Sequence, residues 1–334
     1  MLYLPKVHLH MSESRKIQQT PTGTFFVCLP RDWAKENGLK KGALVTLEVT
    51  GEGKLLVDPK NAAEPEPKVA ILGVGPFLGR EIVGRYLLGY DTINIEAKDR
   101  IDATARKIVK TTASSLAGLE IVEENICKIS LQSISQQPFG FLPEKILQRN
   151  HGLVAGMIKD VTNSFINSDL ELAKSVVSRD NESNRLYFLL VRTLRTIIQN
   201  PRLSDKLGIT PIECLDYRLA ASLIEGIGDS CVQFASNTVA LNGVKLSDDL
   251  RKLLSELLFA CSGANEQAIR AFLNKDISLA ENVRNLREKI ESTYSSIEQL
   301  AKDSSVDLMP QILSAVSFLR QIYERSVDMA DLVV

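Results

Sequence analysis

From Leu142 onward, apolar residues recur three and four positions apart, with few turn signals between them. That is the period of helices with one buried face. The pattern predicts helices over 143–168, 169–199, 211–241, 248–274, 277–302 and 309–331. Several open on proline, which suits the first turn of a helix. The chain before Leu142 has a different rhythm. Short apolar runs predict strands at 68–72 and 92–95, helices at 77–88 and 101–116, and a hairpin of 119–123 with 126–133. The order βαβαββ within 68–137 implies a small α+β domain. Residues 60–67 are polar and carry two prolines, so they predict a linker.

Residues 14–59 read as a small β-rich unit behind a flexible tail, 1–13. Strands are expected at 15–20 and 24–29 around Pro21-Thr22-Gly23, and a short helix at 31–37 opened by Pro30 and stopped by Gly38. A hairpin of 43–49 with 54–57 turns at Gly51-Glu52-Gly53. A unit of under ~50 residues has little core of its own, so dimerisation is expected.

The helical half repeats itself. Phe165-Ile166-Asn167-Ser168-Asp169-Leu170 matches Phe272-Leu273-Asn274-Lys275-Asp276-Ile277, and Glu225/Asp229 matches Glu324/Asp328. The two offsets differ because a longer loop is expected in the first copy between Pro201 and Pro211. Each copy is three helices, so tandem three-helix bundles are expected at 142–242 and 245–334. The fold class is therefore multi-domain: β-rich, then α+β, then all-α.

Composition narrows the function. The 334 residues are 44% hydrophobic and 24% charged, with a net charge of −1. With no global basic excess, contact with nucleic acid must come from a local patch. Within 14–41 there are six basic residues, Arg15, Lys16, Arg31, Lys35, Lys40 and Lys41, against Asp32 and Glu36. A dimer doubles that excess on one surface, which suits phosphate contacts. The five cysteines are scattered and form no CxxC, so a zinc site or disulfide framework is not expected. With no signal-peptide pattern and no long apolar run, the expected location is the cytoplasm, with no transmembrane segment.

Two stretches invite chemistry. Gly73-Val74-Gly75-Pro76-Phe77-Leu78-Gly79 looks like a dinucleotide loop, but the spacing is wrong and Pro76 removes a backbone donor. A turn and helix start is the expected reading. Glu225 and Asp229 lie four apart in an apolar run and share one helix face. Two acids there need a compensating cation, either a metal or an arginine.

Two resemblances organise these features. Residues 14–59, with a basic first strand, the Phe25-Phe26-Val27-Cys28-Leu29-Pro30 strand and a short helix ending in Asn37-Gly38-Leu39-Lys40-Lys41-Gly42, resemble the AbrB/SpoVT swapped-hairpin DNA-binding family. In that family two chains interlock and present basic residues to DNA. Residues 142–334 resemble the PhoU family of phosphate-uptake regulators. The carriers are Glu225-Gly226-Ile227-Gly228-Asp229, close to its "ERIGD" signature, and Asp180 followed by Asn184-Arg185-Leu186-Tyr187, close to "DRLY". The resemblance associates the combination with archaeal proteins. It implies a divalent metal (Fe, Mn, Mg or Zn) at Asp180, Asn184, Glu225 and Asp229, an oxygen-donor set suited to hard ions. A possible second site is Glu291, Glu324 and Asp328, although Arg287 stands beside it and predicts an ion pair with Glu324 instead.

Three functions compete. A phosphate-responsive regulator would bind DNA through its N-terminal unit, as a homodimer or higher oligomer, and control phosphate uptake. A non-DNA-binding adaptor would only dimerise and dock on a partner such as the ATPase of the phosphate ABC transporter. A ferritin-type oxygen-activating enzyme would need Glu-x-x-His pairs. His151, the one histidine of the helical half, follows Leu147 and Gln148, so no enzyme is expected.

Overall fold

The computed structural model describes residues 13–49, 53–59, 67–134, 142–240, 246–302, 304 and 308–333. It divides into two compact units, Met1–Glu66 and Pro67–Val334.

In the first unit, β1 (Gln18–Gln19) pairs with β2 (Phe25–Phe26), and β3 (Thr46–Val49) pairs with β4 (Leu55–Asp58), both antiparallel. The first two strands are shorter than the expected 15–20 and 24–29. Gly23 at φ +93° closes that turn, a conformation open to glycine. Helix α1 (Arg31–Glu36) is stopped by Gly38 at φ +65°. The expected Gly51–Gly53 turn falls largely outside the described residues, as do the 1–12 portion of the tail and most of the linker. No residue of this unit whose burial is described is buried.

The second unit opens with a four-stranded sheet in the order β5-β6-β8-β7, built from β5 (Val69–Gly73), β6 (Thr92–Glu96), β7 (Leu119–Glu124) and β8 (Lys128–Ser133). β5 and β6 are parallel and β8 is antiparallel to both its neighbours. Helices α2 (Leu78–Leu87) and α3 (Ala103–Ser114) cover it, burying Ile82, Tyr86 and Val109 against Ile93, Ile95, Ile129 and Leu131. The glycine-containing stretch is a turn into α2. A Cβ on Gly79 would stand 3.2 Å from the hydroxyl of Thr112, so that glycine serves helix packing.

The helical part comprises α4 (Pro143–Asn167), α5 (Leu170–Gln199), α6 (Pro201–Leu207), α7 (Pro211–Ala240), α8 (Asp248–Asn274), α9 (Ile277–Asn285), α10 (Arg287–Lys302) and α11 (Met309–Ala330). Helices α4, α5 and α7 pack together, as do α8 to α11, and one hydrophobic core runs through both sets. The repeat is visible in the turns. Ser168 (φ 55°) and Lys275 (φ 53°) are the two non-glycine residues with positive φ among the described residues. Each is followed by an aspartate that caps the next helix: Asp169 accepts from the amide of Leu172 at 3.0 Å, Asp276 from that of Leu279 at 3.1 Å.

Two expectations need correction. The stretch after Pro201 is not a loop but α6, capped by Asn200. The predicted helix over 277–302 is interrupted at Leu286. There the hydroxyl of Tyr323 donates to the carbonyls of Val283 and Arg284, 3.1 Å to each, and a side chain entering the ladder is a known cause of a break. The α+β part is fastened to α5. Arg192 donates to the carbonyls of Tyr86 and Tyr90 at the end of α2, and its guanidinium lies 4.8 Å over the Tyr86 ring.

Candidate functional site

The N-terminal basic residues all lie on the surface: Arg15, Lys16, Arg31, Lys35, Lys40 and Lys41 are exposed. Arg15 is partly engaged, because Glu13, just ahead of the basic stretch, pairs with it at 2.6 Å. Phe25 is 68% exposed, and Ile17, Leu44, Leu47, Val49 and Leu55 are more than half exposed. So much exposed apolar side chain, with no buried side chain described in the unit, is the kind of surface that marks an interaction site.

The acidic cluster is formed by two neighbouring helices. α5 carries Asp180 and Asn184, and α7 carries Glu225 and Asp229. Asn184 turns its amide N–H to Asp180, with 2.9 Å between Nδ2 and Oδ2. Partial burial pushes the Asp180 carboxyl above its usual range, and the charge of Asp229 adds to this. Glu225 is raised by burial and by repulsion from Asp229 and Asp180, while Arg218 and Arg325 act against the rise. The structure thus brings three carboxylates within mutual repulsion. Among the described residues no group of three or more His, Cys, Asp or Glu side chains closes into a metal-holding arrangement. The charge of the donor set suits a cation; the side-chain positions do not close around one.

The second copy is different. Arg287 donates to both carboxylate oxygens of Glu324, at 3.0 and 3.2 Å, forming the expected pair. Glu291 is held by Arg320 at 2.9 Å. Two of the three acids of the possible second site are therefore taken by guanidinium groups. Asp328 stays exposed, its carboxyl raised by partial burial and by its neighbours Asp331 and Glu324.

Three residues near the clusters escaped the sequence reading. Arg218 stacks 4.9 Å over the ring of Tyr187, Arg320 takes Glu291, and Arg325 reaches across from α11 to α7. Arg325 donates to the carbonyl of Gly226 and to Ser230 Oγ. A signal existed for Arg325: Gly226 and Arg325 occupy the same place in the two copies of the repeat. Leu219, Leu215 and Ile212 form one stripe of α7, each about half exposed or more.

Residues 147–238 match the family model of the PhoU domain, and residues 18–65 match that of antidote-toxin recognition MazE, bacterial antitoxin. Among solved structures, the chain resembles PhoU from Pseudomonas aeruginosa at 20% identity and a TM-score of 0.51, over 57% of this chain and 93% of that one. It resembles the phosphate transport system regulatory protein PhoU from Streptococcus pneumoniae at 17% identity and a TM-score of 0.51, over 57% and 91%. At such identities the likeness is one of fold. Comparison with curated proteins finds no match. The chain therefore joins a small β-rich, MazE/AbrB-like segment to PhoU-like helical bundles. No helix among the described residues is long and apolar enough to cross a membrane.

Proposed function

We propose that the protein is a phosphate-responsive regulator that binds DNA as a dimer through residues 14–59 and reads phosphate status through its helical bundles, acting in the cytoplasm without catalysis. The observation that carries this reading is the joining of the two matched segments in one chain. The exposed apolar residues of the N-terminal unit support dimerisation, and the exposed Lys16, Arg31, Lys35, Lys40 and Lys41 support phosphate contact. Of the six basic residues Arg15 contributes least, because Glu13 already pairs with it.

A hard divalent cation at Asp180, Glu225 and Asp229 would require these carboxylates to turn toward one another, with the amide oxygen of Asn184 available if that side chain turns over. Such an ion would neutralise the cluster and offer a positive contact to phosphate oxygens. The test is a DNA-binding titration at several salt concentrations, with and without phosphate. Replacing Lys40 and Lys41 by Ala should weaken binding and flatten the salt slope by about one unit per lost contact. Failure to bind any duplex at low salt would refute the DNA-binding reading.

A second reading is an adaptor whose N-terminal unit only dimerises the chain. The Glu13–Arg15 pair and the breadth of the apolar surface favour it. It is the reading that stands if the chain sediments as a dimer and ignores DNA, and the transporter's ATPase is then the class of partner to test.

A further inference from the structure

The two edges of the four-stranded sheet are built differently. β7 carries Glu120, Glu123 and Glu124, and its register with β8 shifts between Ile121 and Glu123. Charges and irregular pairing are the usual devices that keep an edge strand from joining another sheet. β5, the opposite edge, has neither. It reads Val69-Ala70-Ile71-Leu72-Gly73, without charge, proline or bulge, and pairs with β6 residue for residue along its whole length. Ala70 and Leu72 point into the core, while Val69 is 53% and Ile71 67% exposed. Among the described residues no strand pairs with its other side.

We propose that β5 pairs antiparallel with β5 of a second copy of the chain, about a two-fold axis at Ile71, so that two four-stranded sheets become one. Three observations select a second copy as the occupant. Self-pairing sets Ile71 against Ile71, Ala70 against Leu72 and Val69 against Gly73, and β-branched residues facing each other across an antiparallel pair are favourable. Only residue 71 faces its own copy, so a charge there would meet a like charge; Ile71 carries none, and Lys68 falls opposite Val74. The third observation is the tether. Ten residues, 59–68, separate the end of β4 from the start of β5. Their reach is at most about 35 Å. A dimer made by the N-terminal unit therefore holds two β5 edges together at an effective concentration on the order of millimolar. A five-residue pairing is too small to hold two free proteins, whose stable interfaces bury over ~1,000 Å². Between tethered copies it needs no such area. This inference rests on the dimer proposed above.

The test uses the full chain with the two exposed cysteines removed, Cys28→Ser and Cys127→Ser; the other three are buried. Into this background go Ile71→Cys or, as control on the guarded edge, Val122→Cys. Residues directly opposite in an antiparallel pair have Cα atoms roughly 4.5–5.5 Å apart, within disulfide range. Under mild oxidation Ile71→Cys should give a disulfide-linked dimer at least ten-fold faster than Val122→Cys. Equal or absent cross-linking overturns the inference. Sedimentation of the parent separates the two readings: a dimer without the Ile71→Cys link refutes β5 pairing alone, and a monomer refutes both. Ile71→Lys gives an independent measure. It should speed amide hydrogen exchange in β5 at least ten-fold if the strands pair; an unchanged rate counts against pairing.

Discussion

Arg325 and Gly226 meet across the seam between the two bundles, at positions 99 residues apart that are equivalent in the repeat. The guanidinium donates to the Gly226 carbonyl, and a Cβ on residue 226 would stand 3.2 Å from its central carbon. The first copy has a glycine where the second has an arginine, and the arginine occupies the space the glycine leaves. A charge that belongs to one bundle thereby acts on an acid of the other, lowering the cost of ionising Glu225.

Substitution at Gly226 should therefore behave unlike substitution at another helical glycine. Gly263, in α8, has nothing within 4 Å of the place a Cβ would take. Gly263→Ala should stabilise the protein by up to ~1 kcal/mol, the helix-propensity gain. Gly226→Ala should fall short of that gain, since Arg325 must move. Arg325→Ala should cost about 1–3 kcal/mol for the lost charged hydrogen bonds. Denaturant melts of the three variants decide it, and equal gains at both glycines would refute the contact.

The acidic cluster should be more stable with one charge fewer. Glu225→Gln removes a partly buried carboxylate that Asp180 and Asp229 repel. At neutral pH, in the presence of a chelator, the variant should melt at a higher temperature than the parent. Added Mn²⁺ or Mg²⁺ should raise the parent's melting temperature more than the variant's. An equal response of both proteins would remove Glu225 from any cation site.

The Arg287–Glu324 pair should contribute little. Both side chains are about half exposed, and such pairs are worth about 0–1 kcal/mol and weaken with salt. Glu324→Gln should shift stability by less than ~1 kcal/mol, with the difference shrinking in high salt. Arg287→Asp recreates an acid pair on this face, and isothermal titration should then detect added divalent-ion binding that the parent lacks.

What could be read from the sequence follows from where the determinants lie. The repeat of Asp169 and Asp276 was legible because a helix cap is local: the side chain acts on an amide three residues on. The β-rich, α+β and helical segments were legible from their periods. The break at Leu286 was not, because its cause, the hydroxyl of Tyr323, comes from another helix. The same holds for Arg218 over Tyr187 and for Arg320 on Glu291. Spacing put Glu225 and Asp229 on one helix face and the resemblance added Asp180 and Asn184, but spacing does not reveal that Asn184 turns its N–H to Asp180 or that the charge of Arg325 acts on Glu225.

A buried polar chain runs through the middle of the bundles. His151 of α4 lies 2.8 Å through Nε2 from Oδ1 of Asn265 in α8, and Asn265 Nδ2 donates to Ser326 Oγ in α11. With the amide nitrogen committed to Ser326, its oxygen faces the ring, so the network assigns the proton to Nε2 of a neutral imidazole. Burial holds the His151 pKa below the usual 6.5, although Asn265 and the charge of Glu266 oppose this. The sign follows from linkage. The unfolded chain takes up a proton at higher pH than the folded one, so the stability from neutral His151 is fully present above the unfolded value and is lost as pH falls from there through the lower folded value. His151→Gln keeps an N–H for Asn265 and cannot titrate. Its stability should fall less steeply than the parent's between about pH 7 and 5, and parallel curves would show that His151 plays no part. Asn265→Leu leaves the imidazole N–H without its acceptor and should cost about 1–3 kcal/mol at neutral pH. Since the unmet donor sits on His151, combining Asn265→Leu with His151→Leu should cost less than the sum of the two single changes.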